Sequence, residues 1–250
     1  MISLLVITAS LLGLFSKGIY AQETSNWATQ AKGQDIGNLI AVGVLATSGI
    51  LYYKGSYRAA LVWVGTLLYL LYAYIVYAMA VHFNGLFLIY VAVLGLSAYA
   101  LLFSVGTLRS YSIKVPARTR ETAGYVLIGI GVLFSLLWLK EILPALLSGK
   151  VPQSVTEAGL WVNPIHVIDL SVVLPAFIMT GIMTLKNTSN GLFFMGPWLV
   201  FSALMGASIV AAMLLMTFDG VSNTIPPMIM VSTVVMSSFA AAVVYLKQIR

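Results

Sequence analysis

The sequence predicts an all-α integral membrane helical bundle with eight transmembrane helices, and three observations carry that prediction. Of the 250 residues, 60% are hydrophobic and only 8% are charged, against roughly a quarter charged in soluble domains. The mean hydropathy is +1.00. Apolar runs of about 20 residues, the length a span needs, recur along the whole chain. Lys and Arg, finally, alternate in density from one polar break to the next.

Taken in order, the expected spans are residues 2–20, 36–53, 59–81, 85–106, 123–147, 165–185, 192–218 and 228–246. The breaks between them are short and polar, and none is long enough to hold a soluble domain. The chain 1–250 therefore reads as one polytopic transmembrane domain. For the first segment the alternative is a signal peptide ending at Ala21. Lys17 follows its apolar run instead of preceding it, which is the wrong order for a signal, so a first span is expected.

Alternate breaks and the C-terminus hold Lys54, Arg58, Arg109, Lys114, Arg118, Arg120, Lys186, Lys247 and Arg250, nine of the 13 basic residues. Lys17, Lys32, Lys140 and Lys150 fall on the other side. The positive-inside rule then places both termini in the cytoplasm. The net charge of +6 is explained by these loops, and no nucleic acid partner is implied. Trp27, Trp138 and Trp161 fall near the outer interface, as an aromatic belt would have them.

An internal repeat is one of two readings of the spans, the other being chance likeness between short apolar segments. The second and sixth spans open alike, Asp35-Ile36-Gly37-Asn38-Leu39 and Asp169-Leu170-Ser171-Val172-Val173. Each ends in a Lys-led turn, at Lys54 and Lys186, and is followed by a span with an early glycine, Gly65 or Gly196. Two four-helix repeats in parallel orientation would produce this pattern.

The candidate site centres on Asn163-Pro164-Ile165-His166-Val167-Ile168-Asp169. Asn163 and Pro164 make a helix start, and His166 and Asp169, three apart, share a helix face. Ionisable groups at membrane depth are costly and mark functional positions. Asp169 would lie roughly 8 Å below the outer surface at 1.5 Å per residue, with Thr180 and Thr184 continuing a polar stripe inward. Lys140 and Glu141, in the fifth span before Pro144, are the nearest charged partners, although Lys140 can equally snorkel to the surface. Asp35, His82 and Asn84 add polar groups on the same side. Interhelical hydrogen bonding that only fixes packing is the competing account of His166 and Asp169.

Tyr69, Tyr72, Tyr74 and Tyr77 in the third span and Tyr90 and Tyr99 in the fourth need hydrogen-bond partners at membrane depth. They are expected to face the bundle, either as packing or as the lining of a pocket. The chain has no cysteine, which excludes disulfides, thiolate metal sites and cysteine nucleophiles. Two histidines and scattered carboxylates lack zinc-site spacing, and no phosphate loop, dinucleotide fingerprint or nucleophile elbow occurs. No cofactor or metal is expected.

Two runs carry a family resemblance. One comprises Lys54-Gly55-Ser56, Tyr69-Leu70-Leu71-Tyr72-Ala73-Tyr74, Tyr77-Ala78 and residues 83–91; the other comprises Asn163-Pro164, His166-Val167, Asp169-Leu170 and Leu174-Pro175. Together they resemble a group of uncharacterised bacterial multi-pass membrane proteins. The resemblance implies a bacterial inner-membrane location and no reaction.

Three functions remain open. The leading expectation is a small-molecule or proton-coupled binding and transport protein, with Asp169 as the ion or proton site and His166 as its titrating neighbour. A non-catalytic membrane partner or assembly subunit is the alternative. An intramembrane enzyme using His166, Asp169 and Glu141 is the third, and the sparse ligand set counts against it.

Overall fold

In the computed structural model, which describes residues 1–221 and 223–249, every regular element of the described residues is helical. The order is α1 (Ile2–Phe15), α2 (Ser25–Tyr53), α3 (Tyr57–Ala80), α4 (Phe87–Leu108), α5 (Ala117–Leu147), the short α6 (Gln153–Ala158), α7 (Pro164–Ile168), a π-helical turn (Asp169–Val173), α8 (Leu174–Leu185), α9 (Ser189–Phe218) and α10 (Ile225–Gln248). Seven helical stretches among the described residues are long and apolar enough to cross a membrane, with α7, the π turn and α8 counting as one. The first helix is apolar but only 14 residues long, roughly 21 Å at 1.5 Å per residue.

The element boundaries differ from the sequence expectation where polar side chains find partners. The second helix begins at Ser25, eleven residues before the expected Ile36. Thr24 caps it by accepting the Trp27 N–H at 3.2 Å. Its polar first turns are then satisfied sideways: Trp27 Nε1 donates to the Ala80 carbonyl at 2.9 Å, and Thr29 Oγ1 donates to Asp219 at 2.9 Å. The first helix stops at Phe15, short of the expected Tyr20. Pro226 and Pro227, expected in a turn, lie inside the first turn of α10, where the missing N–H groups would be unpaired in any case. Pro144 does not end α5, which runs on to Leu147.

Close backbone approach sets the helix crossings. A Cβ at Gly33 would overlap Ala212, and one at Gly37 would overlap Ser208. Two glycines four apart on α2 thus face two small residues four apart on α9, the small-residue packing that membrane helices favour. Gly65 of α3 likewise abuts the Pro197 carbonyl, and Gly181 of α8 abuts the Gly124 carbonyl of α5. The ninth helix is the hub, packed on α2, α3, α8 and α10. Within each half the neighbours match: α1 on α2, α2 on α3, α3 on α4 and α1 on α4, then α5 on α8, α8 on α9, α9 on α10 and α5 on α10.

The polar breaks segregate to opposite ends of the bundle. At one end Glu23 accepts the His82 N–H at 2.7 Å and Thr24 donates to the Glu157 carbonyl at 2.9 Å. At the other, Arg58 donates to the Ile249 carbonyl at 2.9 Å and Arg109 to Asn190 at 2.8 Å. The second end collects the basic breaks; Arg250, counted with them, lies outside the described residues.

Candidate functional site

Near the end that carries Glu23 and His82, a cavity of about 280 Å³ opens between α2, α3, α5, α7–α8, α9 and α10. Its wall is mainly aliphatic and aromatic. Among the described residues Asp169 is the one charged residue that lines it. The remaining polar lining comes from Gln30, Gln34, Tyr72, Tyr77, Ser202 and Ser208, with the two indoles Trp27 and Trp138.

The local sequence explains how Asp169 reaches this wall. Asn163 caps α7 by accepting the Ile165 N–H at 2.9 Å, and Pro164 takes the first helical position. Six residues past Asp169, Pro175 has no N–H to give, and its ring crowds the carbonyl four residues back. The helix widens here into one π turn, in which the Leu174 N–H reaches the Asp169 carbonyl five residues earlier. Single π turns recur at functional sites. Val173, Leu174 and Phe177 line the cavity beyond Asp169. Thr180 and Thr184, three and seven residues past Phe177, continue the buried face of α8 but do not line the cavity.

Asp169 is 9% exposed and both of its oxygens are engaged. The Tyr72 hydroxyl donates to Oδ1 at 3.0 Å, and Trp138 Nε1 donates to Oδ2 at 2.8 Å. His166 packs against Trp138 with the rings tilted and their centroids 4.7 Å apart, and its Nε2 lies 3.7 Å from Glu141 Oε2. Asn163 Nδ2 is 3.5 Å from the same His166 nitrogen. Glu141 also accepts the Ser154 N–H at 3.0 Å, which ties α5 to the start of α6. The structure thus brings together Asp169, His166, Glu141 and Asn163. Lys140 stays exposed and makes no ion pair with Asp169 among the described residues, so the lysine partner considered from sequence is replaced by an indole and a phenol.

The other three candidates are not in this group. Asp35 lies ten residues into α2, roughly 15 Å from its start, and belongs to a separate buried centre. Its Oδ2 accepts from the Tyr20 hydroxyl at 2.7 Å and its Oδ1 from Tyr77 at 2.9 Å. His82 pairs with Glu23, Nδ1 to Oε2 at 2.9 Å, in the exposed α3–α4 turn. Asn84 caps that turn by accepting the Leu86 N–H at 2.8 Å.

Two members of these buried polar networks escaped sequence reading. Trp138 reads as an interface residue, yet its indole orients the carboxylate. Gln34 reads as loop, yet its amide donates to the Tyr69 hydroxyl at 2.6 Å and its oxygen accepts from Ser208 at 3.1 Å. No hydropathy signal marks either, because each role depends on a distant helix.

These features define a multi-pass helical membrane protein with an internal, carboxylate-bearing cavity. The sequence matches no family model, and no curated protein or solved structure matches it.

Proposed function

We propose that this chain binds a small amphipathic molecule in the cavity and carries it across the bacterial inner membrane, with Asp169 receiving a cationic or hydrogen-bond-donating head group. The observation that carries this reading is one carboxylate on a mostly apolar wall that is otherwise uncharged among the described residues. Ligand sites commonly have this composition, apolar walls with a few convergent polar groups. An apolar ligand body would lie against Phe134, Phe177, Phe201 and Met205. His166, held between Trp138 and Glu141, is the neighbour placed to exchange a proton with the solvent-facing loop.

In this reading the chain makes eight passes, α1 being a short first one, with both termini in the cytoplasm and the basic end of the bundle inside. The matched neighbour pattern of the two halves supports a duplication of four helices in parallel orientation.

The test is thermal unfolding of the purified protein with a series of small hydrophobic amines, matched against the corresponding carboxylic acids and alcohols. Amines should raise the midpoint in wild type and not in Asp169→Asn. Equal stabilisation of both proteins would overturn the reading.

A further inference from the structure

The second buried carboxylate lies outside the machinery proposed above. Asp35 is only 2% exposed and forms no ion pair with Lys, Arg or His among the described residues. What surrounds it is oxygen. Tyr20 and Tyr77 donate to its two carboxylate oxygens, and Tyr77 also meets the Ala31 carbonyl at 3.0 Å. The Ser10 hydroxyl stands beside the carboxyl without hydrogen-bond geometry. Tyr74 and Tyr90 pack on Tyr77, with centroids 5.4 and 5.1 Å away. Ser10, Tyr74 and Tyr90 are each at least nine-tenths buried, and none of their hydroxyls has a partner among the described residues.

Buried hydroxyls are normally paired, and three orphans around one carboxylate need an explanation. Each hydroxyl has one proton to give and two lone pairs to offer, so oxygen lone pairs outnumber the protons aimed at them. A carboxylate taken out of water without a cation is costly. One monovalent cation would balance that charge and engage the free lone pairs. Divalent ions prefer several carboxylates or many ordered oxygens, whereas a single carboxylate among hydroxyls and a carbonyl balances one positive charge.

We propose that the Asp35 centre is a sodium-binding site, with Asp35, Ser10, Tyr74 and the Ala31 carbonyl as its oxygen ligands. Access comes from the cavity, since Ala31 and Tyr77 belong to both the cavity wall and the centre. On the opposite side α1 closes it. A Cβ at Gly13 would strike Asp35 Oδ2, so glycine there leaves the carboxylate room. The site does not depend on what occupies the cavity.

The experiment is thermal unfolding of the full-length protein in detergent, titrating sodium chloride against choline chloride at constant ionic strength. Sodium should raise the midpoint by several degrees in wild type and equally in Asp169→Asn, which leaves the Asp35 centre intact. Asp35→Asn should show no sodium response. Should that variant fail to fold, Ser10→Ala, which keeps the carboxylate, should need about tenfold more sodium for the same rise, the loss of roughly one ligand's worth of affinity. Identical sodium and choline curves in wild type would overturn the proposal. So would a wild-type sodium response in Ser10→Ala or Asp35→Asn, or stabilisation by acid alone with none by sodium, which would leave a proton as the occupant.

Discussion

The Tyr72 hydroxyl donates to Asp169 Oδ1 at 3.0 Å, joining α3 to the π turn across 97 residues of chain. With Trp138 on the other oxygen, it holds the carboxylate against the cavity wall in one orientation. Tyr72→Phe removes this donor and leaves the ring in place. Stability should fall by about 0.5–2 kcal/mol, the range of interhelical hydrogen bonds in membranes, read by thermal unfolding. Amine-dependent stabilisation should weaken in Tyr72→Phe but survive, whereas it should vanish in Asp169→Asn.

Cavity volume gives an independent handle. Ile209 lines the cavity from α9 and is partly exposed. Ile209→Trp should fill space that the ligand needs while adding apolar contact, so the unliganded protein should melt at or above the wild-type midpoint. The same protein should lose ligand-dependent stabilisation. A variant that binds amines as wild type does would place the ligand elsewhere.

Two glycines on α2 should respond in opposite directions. Gly33→Ala drives a methyl group into the Ala212 backbone, where no side chain can swing aside, and should lower the yield of folded protein and its melting midpoint. Gly43→Ala meets nothing within 4 Å. Helix propensity should make it neutral or stabilising by up to roughly 1 kcal/mol. Size-exclusion profiles and unfolding midpoints of the pair separate close packing from propensity.

Topology can be read without background because the chain has no cysteine. Lys150→Cys, in the exposed α5–α6 connection, should react with a membrane-impermeant maleimide in intact cells. Ser112→Cys, in the basic α4–α5 connection, should react only after permeabilisation. The reverse pattern would invert the orientation.

The local character of some signals made them legible. Asn163 and Pro164 announce the start of α7 through backbone chemistry alone, and His166 and Asp169 share a site because three residues make nearly one helical turn. Asp35 shows where this breaks down. Its sequence neighbourhood is polar, so hydropathy puts it at a span's outer end, yet in the structure it is among the most deeply buried polar residues. The polar turns before it are helical because Ala80 of α3 and Ser208 and Asp219, in and at the end of α9, satisfy them from two distant helices. The π turn itself was equally out of reach: it opens the helix between Asp169 and the cavity-lining Leu174 and Phe177, and no periodicity in the sequence shows it.

By itself, then, the sequence determined that this is a helical, multi-pass membrane protein and which charges lie at which end, because a bilayer demands long apolar runs and screens loops by charge, one segment at a time. Only the tertiary structure decided that the polar residues form two centres. One is Asp169 with Tyr72 and Trp138 on a cavity wall, and the other is Asp35 among hydroxyls under α1. The physical reason is that a buried carboxylate is defined by what donates to it, and in both centres those donors include residues from other, sequence-distant segments.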